Sequence, residues 1–195
     1  MSTFADRPNS AVLVIDVQVK VVAKAHARDA VVANIDAVVA KARAAGVPVI
    51  WVQHNSDELA QGSAGWQYVP ELVRREDEAL VHKRYGDSFE ETDLESLLAE
   101  RKVGRVVITG AQTDACIRST LHGALVRGYD TTLVADAHTT EDLRQWGAPL
   151  APEQAIAYTN MYWSWTNAPG RTGSTVPSAD VEFTVTGGGV APQSS

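Results

Sequence analysis

Short, wholly apolar runs rich in β-branched residues alternate along this chain with segments of helical periodicity. That alternation constrains the fold more than any other feature. Ala11 to Ile15 is continuously apolar and stops at Asp16. Such a run reads as a strand buried on both faces of a parallel sheet. Between Asp29 and Ala45, apolar residues recur at helical spacing at Val31, Val32, Ile35, Val38, Val39 and Ala42, and Gly46 follows as a C-terminal cap. Val47 to Gln53 reads as a second strand and Ala79 to Lys83 as a short third. Thr92 and Glu95 have the spacing of a capping box for a helix reaching about Arg101. Arg105 to Thr109 is the fourth strand, Gly110 to Ala115 a turn, and Cys116 to Arg127 a helix stopped by Gly128. Asp130 to Ala135 is the fifth strand, and Pro152 opens a helix to about Ser164. Val181 to Val185 has the pattern of a last strand. Strand and helix in turn predict an α/β fold: a three-layer, Rossmann-like arrangement with a mostly parallel central sheet and helices on both faces. With no internal repeat, one domain over residues 1–186 is expected. The small, polar residues 187–195 read as a disordered tail.

Composition narrows the function classes. At 195 residues, 45% apolar and 21% charged, the chain has the make-up of a soluble globular protein. A net charge of -7 argues against nucleic acid as a partner, because phosphate backbones require a basic face. No apolar run is long enough to span a membrane. The polar segment Met1 to Ser10 has no signal-peptide core, so a cytoplasmic protein is expected. The single cysteine permits no intrachain disulfide.

In open α/β sheets, ligands bind beyond the C-terminal ends of the strands. Three reactive residues fall there: Asp16 ends the first strand, Lys83 ends the third, and Cys116 follows the fourth across a turn. A helix start and a neighbouring ammonium both favour a thiolate, so Cys116 has the setting of an activated nucleophile. Asp16 has the chemistry to take the thiol proton and pass it to a leaving amine. Each residue also has a bland explanation. Lone cysteines are usually buried hydrophobes, strand-end aspartates are often turn caps, and lysines are mostly solvated. On pattern alone both readings stand.

The segments Val12 to Gln18 (VLVIDVQ), Val81 to Phe89 (VHKRYGDSF) and Ile108 to Thr120 (ITGAQTDACIRST) resemble, in order and spacing, the three signature blocks of isochorismatase-like hydrolases. The resemblance runs from about Ala11 to Phe183, with the cysteine block its most specific part. Gly65 to Leu72, Asp136 to Thr140 and the turn Ala168 to Arg171 add to it. It implies a Rossmann-like sheet, Asp16, Lys83 and Cys116 as a catalytic triad, and a cis peptide joining Ala111 to Gln112. It also implies an oxyanion hole made by the backbone N–H groups of Gln112 and Cys116, and a homodimer or higher homo-oligomer.

Within that family, isochorismatases cleave a vinyl ether by protonation and several lack the cysteine. Cys116 therefore points to the branch that hydrolyses C–N bonds of small molecules, the nicotinamidases and N-carbamoyl amide hydrolases, through a thioester. The rival readings are a vinyl-ether hydrolase with Asp16 as general acid, and a silent small-molecule-binding scaffold. Nicotinamidases carry Asp-x-His after the second strand to bind a metal. Trp51 to Asp57 reads WVQHNSD and offers no such register, so no metal is expected, and no dinucleotide or phosphate-loop motif implies another cofactor. His26, His82, His122 and His138 show no metal-ligand spacing. The expected substrate contacts are Gln18, His54, Trp66, Tyr85 and Phe89. Trp163 and Trp165, ending the last long helix, are candidates to cover the site or an interface.

Overall fold

The structure is a computed structural model, and it describes residues 2–183. Its elements run in the order β1 (Asn9–Ile15), α1 (Arg28–Ala44), β2 (Val49–His54), β3 (Ala79–Lys83), α2 (Leu94–Glu100), β4 (Val103–Ala111), α3 (Arg118–Arg127), β5 (Asp130–Thr139), α4 (Pro152–Trp163), β6 (Asn167–Ala168) and β7 (Arg171–Val176). The seven strands form one sheet in the order β3-β2-β1-β4-β5-β7-β6. Every pairing is parallel except β6 with β7.

The apolar run of β1 explains the three layers. Its side chains alternate between the two sheet faces. Ala11, Leu13 and Ile15 join one buried cluster with Leu94 and Leu98 of α2, Leu121 and Ala124 of α3, and Trp163 of α4. Val12 and Val14 join a second cluster with Val31, Val32, Ile35, Val38 and Val39 of α1. Each fully buried aliphatic side chain contributes about 1.5–3 kcal/mol. The expected Rossmann-like fold, with helices on both faces of a mostly parallel sheet, is what the chain adopts.

The sheet order also fixes where a site can form. The chain winds outward from β1 through β2 to β3, then returns to β4 on the other side of β1. That reversal opens a crevice at the C-terminal ends of β1 and β4. Gly110 lets the two strands meet there. It has φ 121°, and a Cβ on it would lie 2.0 Å from the carbonyl oxygen of Ile15.

Some local expectations are corrected. Glu95 does not close a capping box with Thr92. Its carboxylate instead takes Arg7 Nη1 at 2.9 Å and the Tyr129 hydroxyl at 2.7 Å. No strand forms at Val181 to Phe183, and Thr184 and Val185 lie outside the described residues, as does the segment 187–195. Among the described residues the last strands are β6 and β7, a hairpin whose polar, glycine-containing sequence hid it. Among the described residues, no helix is long and apolar enough to cross a membrane.

Candidate active site

Four side chains converge at the crevice. Asp16 directly follows β1, His54 and Lys83 are the last residues of β2 and β3, and Cys116 lies just beyond β4. His54 and Lys83 are register partners across the β2–β3 pair. Asp16 has φ 52°, in the left-handed region, while its N–H still bonds Val52 O at 2.9 Å. Aspartate enters that region more readily than most residues. The conformation lifts its carboxylate out of the strand and across the crevice.

Lys83 is the centre of the group. Its Nζ lies 2.7 Å from Asp16 Oδ2, 3.1 Å from Cys116 Sγ, 3.1 Å from Tyr85 O and 3.2 Å from His54 Nδ1. An ammonium can only donate, so His54 Nδ1 is an acceptor and its ring proton sits on Nε2. Burial, with Lys83 adding to it, lowers the His54 pKa and keeps the ring neutral. Burial alone also lowers the Lys83 ammonium, but Asp16 and Cys116 outweigh it, so Lys83 stays charged. Both Asp16 oxygens are buried, and neither takes a well-directed hydrogen bond from a described residue. The carboxylate is held by the ion pair.

One atom each from Asp16, His54 and Cys116 lies within 4.8 Å of the others, a grouping able to approach a metal ion. The same three side chains already share a cation, because Lys83 Nζ contacts all of them.

Cys116 differs from the sequence expectation in two ways. It does not open an α-helix. It lies in a π-helical turn, Thr113–Ile117, that leads into α3. Its thiol is also not poised as an anion in the resting site. Burial, together with the Asp16 carboxylate, pushes it up to about 12 against the opposing pull of Lys83. The resting pair is thus a thiol beside a carboxylate, the arrangement in which Asp16 is the proton acceptor. The Ala111–Gln112 peptide is cis, as the resemblance implied.

A cavity of about 280 Å³ opens over these groups, lined by Asp16, His54, Gln112 and Cys116, with Lys20, Val21, Ser56, Glu58, Leu59, Ala115 and Glu141. A larger cleft of about 600 Å³ lies alongside, between the loop after β2 and the residues around His82 and Arg84. It shares Ser56 but does not reach the cysteine.

Of the five expected substrate contacts, only His54 lines the cavity. Gln18 is a fully buried strut: its Nε2 donates to His54 O and Trp66 O, and its Oε1 accepts from His54 N. Trp66 donates to Asn55 Oδ1 and stacks on His82. Phe89 belongs to the core, under Arg127. Tyr85 reaches the site through its main-chain oxygen while its ring is about half exposed. Trp163 is buried and Trp165 is exposed.

Sequence reasoning missed His138. It is buried, with Nε2 2.9 Å from Asn160 Oδ1 and Nδ1 2.8 Å from Thr113 Oγ1. Asn160 spends its amide on Ala135 O, so its Oδ1 accepts from His138 Nε2 and Thr113 donates to Nδ1. Thr140 adds a hydrogen bond to Asp114. These contacts tie the cysteine turn to β5 and α4, and no spacing in the sequence signals them.

Comparison with known proteins agrees with the fold. The family model described as the isochorismatase domain matches residues 10–157. The chain is 32% identical over 154 residues to a streptothricin hydrolase from Streptomyces noursei, covering 76% of this chain and 59% of the relative's length. It superposes on an isochorismatase from Pseudomonas putida with a TM-score of 0.80 and 25% identity, over 91% of this chain and 92% of the other. A cysteine hydrolase from Pseudomonas syringae pv. phaseolicola, 21% identical, shares the fold at a TM-score of 0.78, over 88% and 90% of the two chains. In sequence and fold, the chain belongs to the isochorismatase family.

Proposed function

We propose that this protein hydrolyses an amide or carbamoyl-type C–N bond of a small molecule through a thioester on Cys116, with Asp16 and Lys83 completing the catalytic triad. The observation that carries this reading is the Lys83 ammonium lying between the Asp16 carboxylate and the Cys116 sulfur, at 2.7 Å and 3.1 Å.

The chemistry follows from those contacts. Asp16 takes the thiol proton as sulfur attacks the substrate carbonyl, and the Lys83 charge stabilises the thiolate as it forms. The backbone N–H groups of Gln112 and Cys116 receive the developing oxyanion. The C–N bond breaks as Asp16 returns its proton to the departing nitrogen, leaving an acyl thioester. Asp16 then deprotonates water, which attacks the thioester; the acid leaves and sulfur regains its proton. An unperturbed thiolate is not needed at rest, because proton transfer accompanies attack. His54, with its N–H on Nε2, has a donor available to a polar substrate group. Residues 1–186 act as one hydrolase domain. A homo-oligomer finds support in Tyr158, Met161 and Trp165, exposed apolar side chains at helical spacing along and just past α4.

The test is ammonia or amine release from a panel of small amides, carbamoyl compounds and streptothricin, with intact-mass detection of the acyl-enzyme. Product and adduct formation, both lost in Cys116→Ser, are expected. Pyruvate formation from isochorismate that persists in Cys116→Ser overturns the reading in favour of vinyl-ether cleavage.

A further inference from the structure

The cavity mouth carries two acids that the catalytic chemistry does not use. Glu58 stands in the loop after β2, and Glu141 stands just past β5. In the order β2-β1-β4-β5, those two loops flank the crevice at β1 and β4 from either side. Neither carboxylate has an ion-pair or hydrogen-bond partner among the described residues. Main-chain contacts tie both residues to neighbouring loops: the Glu58 carbonyl oxygen accepts from Lys20 Nζ at 2.7 Å, and Glu141 forms a bridge with Ala25.

The rest of the lining leaves this charge unbalanced. Asp16 and Lys83 cancel one another beneath the cavity, and Lys83 has no exposed side-chain surface to offer a ligand. His54 is neutral at the floor. Lys20 offsets one of the two glutamates, so the rim keeps one net negative charge. Asp16 also lines this space, but its buried carboxylate is already paired with Lys83 and adds no net charge.

We propose that this rim selects cationic small molecules, with Glu58 and Glu141 as the specificity-determining residues. The substrate would then be an amide whose acyl or amine portion carries an ammonium or guanidinium group. That chemical class rests on the amide-hydrolase reading. The charge selectivity of the cavity does not.

The single cysteine makes the charge selectivity measurable without knowing the substrate. Cys116 is labelled with two methanethiosulfonates of similar size, one bearing a trimethylammonium and one a sulfonate. The rate ratio is normalised to that of a free small thiol. One net unit of charge within about 8 Å in water discriminates opposite charges by about fivefold, and less as salt rises. The cationic reagent is therefore expected to be favoured severalfold. The preference should decay between low and high salt and fall towards one in the Glu58→Gln, Glu141→Gln double variant. A normalised ratio at or below one in the unaltered protein overturns the proposal. So does a preference that the double variant leaves unchanged. In parallel, ammonia release is compared for 4-aminobutanamide, pentanamide and succinamate. No turnover of any amide counts against the hydrolase reading while the labelling ratio still decides the charge selectivity. Turnover that favours succinamate overturns the selectivity while leaving amide hydrolysis intact.

Discussion

The Lys83 ammonium lies 2.7 Å from a carboxylate oxygen of Asp16, with their side chains 0% and 2% exposed. A pair this deep is expensive to break from one side, because the remaining charge is left in a medium that solvates it poorly. Lys83→Met is expected to lower stability by roughly 3–5 kcal/mol. Adding Asp16→Asn to it removes the orphaned charge and should recover part of that loss, with hydrolysis still absent. Urea unfolding of the two single variants and the double variant gives the coupling. Additive losses would show that the two residues are not energetically paired.

The state of the sulfur gives a second expectation. Burial and the Asp16 carboxylate hold the Cys116 thiol at about 12. Alkylation by iodoacetamide should therefore stay slow through neutral pH and accelerate well above the ordinary thiol range of about 8.5. Asp16→Asn removes the negative neighbour and leaves Lys83, so the thiol should titrate lower and label faster at pH 8 to 9. The same variant should abolish turnover, because the proton acceptor is gone. Labelling and catalysis moving in opposite directions would separate this arrangement from one in which the resting residue is already a thiolate. Slower labelling of Asp16→Asn would rule it out.

Much of this arrangement is legible in the sequence. β1 is visible because a uniform apolar run has few other uses, and Asp16 sits where it stops; β3 is a shorter signal, three apolar residues followed by His82 and Lys83. What escaped reading depends on contacts made across the fold. β5 continues past Ala135 to Thr139 because Gly110 and Ala111 of β4 pair with His138 and Thr139, although the added residues are partly polar. The π-helical turn at Cys116 has no periodic signature. Gln18, two residues past Asp16, reads in sequence either as a prop for the loop or as a substrate contact, and three main-chain hydrogen bonds consume its amide in the first of these roles. Glu58 and Glu141 come from separate loops, and only the strand order brings them to one cavity. The activated thiol was expected from a helix start and an ammonium. Burial and the Asp16 charge oppose both, and together they prevail.

His138 carries a pH dependence of stability. Its ring is neutral and fully engaged between Thr113 and Asn160, and burial depresses its pKa from the ordinary 6.5 to about 4. A histidine depressed in the folded state binds its proton more readily when unfolded. Its contribution is therefore complete above pH 6.5 and is lost as pH falls from 6.5 towards 4. At 1.36 kcal/mol per pH unit this amounts to roughly 3 kcal/mol. Unfolding midpoints measured from pH 7.5 to 4.5 should fall more steeply in the unaltered protein than in His138→Gln. The variant should also show a lower turnover rate at neutral pH, since Thr113 and the cysteine turn lose an anchor. Parallel pH curves for the two proteins would remove His138 from this account.

Gly110 and Gly46 both have positive φ but differ in what surrounds them. At Gly46, after α1, φ is 68° and a Cβ would meet nothing within 4 Å. Gly46→Ala therefore bears only backbone strain, about 1 kcal/mol. At Gly110, φ is 121° and the Cβ would lie 2.0 Å from Ile15 O and 2.8 Å from Ile15 N, both main-chain atoms of β1. Neither atom can yield without moving the strand end that presents Asp16. Gly110→Ala is expected to cost roughly 3 kcal/mol or more, through strain and overpacking together. Protein that still folds should label at Cys116 with an altered pH profile, because Asp16 would no longer stand beside the thiol as before. Thermal unfolding and the iodoacetamide profile of the two variants provide the comparison. Equal and small effects at both positions would mean that the β1–β4 approach at the crevice is looser than 2.0 Å implies, and with it the placement of the carboxylate against the sulfur.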